Sequence, residues 1–315
     1  MYAGRLRNQV SFMLSACNFY MPIFEEALDA YGLPLELRYL PIIESALNPS
    51  AVSRAGASGL WQFMIGTGKI YGLESNSLVD ERRDPIKATW AAARYLKEMY
   101  DIYGDWNLVI AAYNCGPGTI NKAIRRANGE TDYWKIYNYL PKETRGYVPA
   151  FIAANYVMTY YCDHNICPME TNIPASTDTV QVNKNLHFEQ IADLCNVPLD
   201  QIKSLNPQYK KQMIPGDSKP YTLRLPIDAI STFIDKQDTI YTHRADELFR
   251  NRKTVAVKDI TPATRKTTSA VAGKGNLTYY TIKSGDTLST IARKYGVTTV
   301  SYTHLRAHET RRHLV

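Results

Sequence analysis

No run of about 18 apolar residues occurs in this 315-residue chain, so no segment reads as a membrane-spanning helix. The first ten residues, MYAGRLRNQV, lack the apolar core of a secretory leader and abut the first helical pattern abruptly. The expectation is that the natural chain begins further upstream. The five cysteines (17, 115, 162, 167 and 195) form no C-x-x-C pair and no metal-ligand spacing. Cys162 and Cys167 are close enough in sequence to pair. Nucleic-acid motifs are absent too, so the net charge of +7 does not by itself point to that partner. Phenylalanine is scarce, at 8 copies against 23 tyrosines. Tyrosine offers a flat apolar face with a polar end, which suits half-buried helix faces and stacking on sugar rings alike.

The charge is unevenly spread. Residues 1–165 carry 16 Lys+Arg and 16 Asp+Glu, so the whole excess lies in 166–315, much of it between Arg244 and Lys274. A basic segment of that kind suits an anionic surface or polymer.

Helical signals fill residues 1–165. Pro22 fits a first turn and predicts a helix to about Tyr31, ended by Gly32. Pro34 predicts another, with Leu37, Leu40, Ile43 and Leu47 on one face. Pro41 lies inside that pattern and predicts a bend just before Glu44. Asp84-Pro85 starts a helix through Tyr100, Asp105 caps one through Cys115, and Lys142 to Tyr161 forms a last amphipathic stretch.

Beyond 165 the texture changes. Residues 178–228 read strand, helix, helix, strand. Residues 235–277 are polar, basic and aperiodic, and read as a flexible basic linker. At 278–300 the first half of the strand-helix unit recurs, Ile291-Ala292 matching Ile191-Ala192 and Gly296-Val297 matching Asn196-Val197. The final 301–315, with three histidines, breaks the repeat mid-unit and reads as a non-native tail rather than a metal tract.

Residues 40–64, LPIIESALNPSAVSRAGASGLWQFM, carry the chemistry. Glu44 ends an apolar run. A carboxyl pressed against apolar neighbours is held protonated, because desolvation disfavours its charge. It can then donate a proton to a leaving group, as breaking a glycosidic bond requires. A lone Glu after an apolar run is more often just the first solvated residue, so the neighbours decide. They are Gly59-Leu60-Trp61-Gln62-Phe63-Met64, Ala111-Ala112-Tyr113-Asn114-Cys115-Gly116-Pro117-Gly118, and Glu143-Thr144-Arg145-Gly146-Tyr147-Val148-Pro149.

In that order and spacing these elements resemble the lytic transglycosylase catalytic domain, a relative of goose-type lysozyme, over about residues 15–165. The 178–228 and 278–300 units resemble LysM modules, with Gly285-Asp286-Thr287-Leu288 as the familiar opening of that motif. The first unit lacks that opening. The resemblance implies an α+β multidomain chain: an all-α lysozyme-like catalytic domain at 1–165, then small βααβ LysM-type units. It implies that Glu44 is the catalytic acid and base. Ser45 would bond the substrate's N-acetyl region or Glu44 itself, and Gln62 would be the cleft amide. Phe63 and Met64 would form an apolar wall, Tyr113 and Asn114 would flank the scissile bond, and Tyr147 would be a cleft tyrosine. Trp61 reads as core.

The implied substrate is peptidoglycan, cut between N-acetylmuramic acid and N-acetylglucosamine without water, with no metal or cofactor. N-acetylglucosamine-containing glycan would bind at the LysM units. The implied location is periplasmic or outer-membrane-associated, with membrane contact only through a missing N-terminal anchor. For its dual role Glu44 needs a pKa of about 5–6, above the free value near 4.3. The alternatives are a goose-type lysozyme-like hydrolase, or a non-catalytic wall-binding protein.

Overall fold

The computed structural model describes residues 2–249 apart from 171, 172 and 175. The truncated repeat at 278–300, the tail at 301–315 and most of the 235–277 linker lie outside the described residues.

A helical domain comes first. Its helices are α1 (Arg7–Ala30), α2 (Leu40–Ser45), α3 (Ile65–Ile70), α4 (Pro85–Tyr103), α5 (Trp106–Cys115), α6 (Pro117–Arg126), α7 (Tyr133–Ile136) and α8 (Lys142–Thr159). None among the described residues is long and apolar enough to cross a membrane. Asp84 and Asp105 cap α4 and α5 as their positions predict. The Asp84 carboxylate accepts from the Ile86 and Lys87 amides at 2.9 Å, and Asp105 accepts from the Leu108 amide at 2.8 Å.

Two proline expectations are corrected. Pro22 does not start a helix; it sits inside α1, which begins at Arg7. The buried face of α1 runs unbroken from Val10 and Met13 to Phe24 and Leu28, and that packing outweighs the lost backbone bond. Pro41 does not bend a helix interior. It occupies the first turn of α2, where its missing N–H has no intrahelical partner to lose. The segment from Leu35 to Tyr39 before it is a separate 3₁₀ turn.

The helical core closes around α4 and α5. Trp61 is fully buried, as expected, and its indole N–H donates to the Thr89 hydroxyl at 2.9 Å. Thr89→Val keeps the shape and orphans that N–H. We expect a loss of about 1–3 kcal/mol, read as a lower urea midpoint at unchanged slope.

The second unit is built from β1 (Thr177–Val182), β2 (Asn185–His187), α9 (Phe188–Cys195), α10 (Leu199–Leu205), β3 (Met213–Pro215) and β4 (Tyr221–Pro226). Strand β1 pairs antiparallel with β4, Val180 opposite Leu223, and β2 pairs with β3. The alternation of β4 is plain: Tyr221, Leu223 and Leu225 point inward. Asn196 ends α9 at φ 54°, the left-handed position that the matched repeat fills with glycine.

Residues 235–249 are not linker. The chain continues as α11 (Ile227–Asp235), α12 (Gln237–Thr242) and α13 (Ala245–Leu248). Phe233 and Ile240 are buried in the same apolar cluster as Phe188 and Leu223. Ile240, with Tyr241 and Phe249 packed against the same cluster, anchors a segment whose composition reads as solvated. Cys162 and Cys167 are exposed free thiols, so the two do not pair.

Candidate active site

Glu44 is the fifth residue of the six-residue α2, and the backbone turns sharply after it. Ala46 and Leu47 both take left-handed angles (φ 52° and 58°) with no glycine to ease them. Gln62, on the facing loop, does the same at φ 47°. Such angles cost of order 1–3 kcal/mol each and persist only where surrounding structure imposes them. Here they place Glu44, Ser45 and Gln62 on the wall of one cleft of about 490 Å³.

Glu44 is half-buried at this cleft. Desolvation raises its pKa. A hydrogen bond from the Tyr147 hydroxyl to Oε1 pulls it back, and the charge of Glu143 pushes it up again. The result is about 7, higher than the 5–6 expected. Glu143 acts from the solvent-exposed first turn of α8. Glu44 is the only carboxylate among the described residues lining the cleft.

Two tyrosines flank it. Tyr147, on the buried face of α8, donates to Glu44 directly. Tyr113, near the end of α5, donates to the Trp61 carbonyl at 2.7 Å. Burial first, and the charge of Glu44 second, hold both phenols well above their ordinary pKa. Both therefore stay protonated wherever Glu44 titrates. Asn114 accepts at Oδ1 from the Thr144 hydroxyl at 2.8 Å, which ties the end of α5 to the turn of α8 just before Tyr147.

The remaining expectations divide. The Ser45 hydroxyl does not bond Glu44. It lies 2.9 Å from the carbonyls of Pro41 and Leu60, pinning α2 to the facing loop. Gln62 lines the cleft, and its NH₂ donates to the carbonyls of Gly59 (2.8 Å) and Ala51 (3.3 Å). Phe63 is not a cleft wall. It is 3% exposed, with its ring centroid 6.4 Å from those of Tyr71 and Tyr95. Met64 is not a wall of this cleft either: it is 45% exposed, caps α3, and is absent from the lining. Past Gln62 successive side chains diverge, one into the core and the next into solvent.

The motifs missed part of the lining. Gln9 and Met13 of α1, with Tyr2 and Leu6 before it, line the same cleft as Glu44. Spacing carries no signal for them, because α1 reaches the cleft only through tertiary packing. Thr144 was legible only as a neighbour of Tyr147.

Comparison with known proteins follows these boundaries. Residues 21–136 match the transglycosylase SLT domain, 176–242 the LysM-like domain of lytic transglycosylase MltD, and 280–300 the LysM domain. The chain is 33% identical over 272 residues to membrane-bound lytic murein transglycosylase D of Escherichia coli K12, covering 85% of this chain and 55% of that protein. It is 33% identical over 124 residues to the soluble lytic murein transglycosylase of the same strain, covering 38% of this chain and 19% of that one. Among solved structures, the 70 kDa soluble lytic transglycosylase of Escherichia coli aligns at a TM-score of 0.40 and 29% identity, over 45% of this chain and 24% of that chain. The chain thus spans about half the length of the curated relative matched over most of its residues.

Proposed function

We propose that this chain is a lytic transglycosylase, as its domain matches and its membrane-bound relative indicate, and that it cleaves peptidoglycan strands between N-acetylmuramic acid and N-acetylglucosamine without consuming water. One observation carries the reading: among the described residues the cleft is lined by a single carboxyl, Glu44, whose pKa burial raises to about 7, so it can both give and take a proton near neutral pH. Most glycosidases instead divide the work between two carboxylates flanking the bond.

The cycle runs on one proton. Tyr147 bonds Oε1 of Glu44, so the transferable proton sits on Oε2. Glu44 gives it to the bridging oxygen as the glycosidic bond breaks. The substrate's own acetamido group stabilises the positive C1. The carboxylate left behind is stabilised by the Tyr147 hydroxyl. It then takes the proton of the muramyl C6 hydroxyl, whose oxygen attacks C1 and closes a 1,6-anhydro ring. Glu44 ends protonated, as it began. Tyr113 and Asn114 are not in the cleft lining; bonded to the Trp61 carbonyl and the Thr144 hydroxyl, they brace the elements around Glu44. Gln62 and Ser45 fix the loop and the helix that face each other across it.

Binding of N-acetylglucosamine polymers by the LysM-type units, and a periplasmic or outer-membrane-associated location, complete the proposal. They rest on the LysM matches and on the membrane-bound relative.

The decisive measurement is the mass of the products from purified sacculi. Anhydro ends are one water lighter than reducing ends. Reducing ends as the main product would replace this reading with a hydrolase.

Tyr147→Phe tests the proton cycle. Removing the hydroxyl removes a bond that favours the carboxylate, so the pKa of Glu44 rises above about 7. The alkaline limb of kcat/KM, set by loss of the Glu44 proton, should move to higher pH. Activity at the optimum should fall about 10–100-fold, the worth of one hydrogen bond to a charged group. A limb that stays in place would remove Tyr147 from the cycle.

A further inference from the structure

The LysM-like unit does not hang beside the helical domain as a separate module. The chain between α3 and α4 joins them. Leu78 and Val79, which belong in sequence to the helical domain, are buried in the apolar core of the LysM-like unit. Val79 pairs with Tyr209 in an antiparallel bridge. The Asp80 amide donates to the Gln208 carbonyl at 2.9 Å, and the Lys210 amide to the Leu78 carbonyl at 2.8 Å.

From that bridge a line of charge runs to the cleft. Lys210 Nζ donates to the Asn76 carbonyl at 2.7 Å and lies 3.7 Å from Asp80 Oδ2. Asp80, its side chain 2% exposed, receives Arg82 through Nε at 2.9 Å and Nη2 at 2.8 Å. Arg82 Nη1 then donates to the carbonyls of Gly56 (2.8 Å) and Phe63 (2.9 Å), the two ends of the loop that presents Gln62. The loop is also pressed onto Arg82 from above. Gly59 sits at φ 88°, and a Cβ built there would fall 1.8 Å from the Arg82 carbonyl oxygen.

We infer that Lys210 of the LysM-like unit is a positioning residue for the Gln62 loop, acting through Asp80 and Arg82, and that this unit is fixed to the catalytic domain rather than tethered to it as a detachable module. The physics is that of a buried ion cluster. Asp80 is held from both sides, by one cation from each unit. Its position sets where the Arg82 fork stands, and the fork sets the spacing of two carbonyls only seven residues apart. Removing Lys210 frees the turn from Asn76 to Asp80 on the side away from the cleft, and the loop gains play. The kinetic arm of the test rests on the proposed activity; the exchange arm does not.

The test compares the full chain with Lys210→Met and Lys210→Arg. Hydrogen exchange reads the Ser58 and Gln62 amides, which close the loop onto Phe63 and Gly59 at 3.0 and 3.2 Å. In Lys210→Met they should exchange at least about tenfold faster while α1 amides keep their rate, the mark of a local opening. On a soluble glycan fragment, too short to need anchoring, kcat should fall about 5–20-fold with KM within about threefold. Misplacement of well under 1 Å suffices for that. Lys210→Arg, which restores the charge, should recover more than half of kcat. Unchanged exchange at Ser58 and Gln62 overturns the inference. So does equal acceleration in α1, which would mean global destabilisation only. If the wild-type chain forms no anhydro product, the functional reading fails and the exchange result alone decides this one.

Discussion

Glu44→Gln should lower turnover on sacculi about 10²–10⁴-fold, the range that one general acid supplies. The amide cannot give a proton to the bridging oxygen, nor can it take one from the muramyl C6 hydroxyl. Both halves of the cycle are lost at once, so no change of pH should restore the rate. The same variant should fold well, and at alkaline pH better than the wild type. The sign follows from linkage. The folded-state pKa of Glu44 is raised to about 7 from an ordinary 4.5. A raised pKa means that the folded state holds its proton more tightly than the unfolded chain does. The associated stability is present in full below the ordinary value and is lost as pH rises through 7. Above pH 7 the native protein therefore carries a half-buried negative charge at a cost on the order of 3 kcal/mol. Glutamine has no charge to bury. Thermal unfolding at pH 8 should show Glu44→Gln at or above the wild-type midpoint, with the advantage shrinking towards pH 5. An inactive variant that is also less stable at pH 8 would point to a packing role for Glu44 and sink the catalytic assignment.

Arg82→Met should cost about 3–5 kcal/mol, the usual penalty for stripping one partner from a buried ion pair. That is a large part of the 5–15 kcal/mol by which domains are stable. The loss has two sources. Asp80 stays buried with only the weaker charges of Lys210, at 3.7 Å, and Arg83 to balance it. The Gly56 and Phe63 carbonyls lose the Nη1 donor, although Phe63 keeps the Ser58 amide at 3.0 Å. Burial alone would raise the Asp80 carboxyl. The Arg82 bonds and charge, helped by Lys210 and Arg83, outweigh it and hold the carboxyl below its usual value. A depressed carboxyl contributes stability above its ordinary pKa and loses it as pH falls through the folded-state value. The gap between wild type and Arg82→Met, measured by urea unfolding, should therefore be widest near neutral pH and close on the acid side. The double variant Asp80→Leu with Arg82→Met should recover part of the loss, because no unpaired carboxylate remains. A gap independent of pH would mean that the carbonyls, not the charge pair, carry the cost.

Most helices were legible. Asp84-Pro85 and Asp105 mark their starts because a short polar side chain satisfies amides that no earlier turn can reach. Pro22 and Pro41 were misread for a shared reason. Proline's local preference is a first turn, but whether it sits there depends on where the buried face runs, and that belongs to the partner helices. The apparent linker from 235 differs because its one buried anchor, Ile240, and the partly buried Tyr241 and Phe249 lie among residues of a solvated composition.

What the sequence determined by itself is the set of chemical groups on offer: one acid after an apolar run, a glycine-rich loop ending in an amide, and a helix end carrying tyrosine and asparagine. These are local pairings of residue type with backbone, and short-range sterics settle them. What only the tertiary structure decided is who meets whom. It brought the Tyr147 hydroxyl to a carboxyl 103 positions earlier in the chain, turned Phe63 into the core beside a cleft-facing Gln62, and set a lysine of one unit behind the cleft of the other. Such contacts form because buried polar groups must find partners wherever the packing of apolar faces brings the chain, and no spacing along the sequence records that meeting.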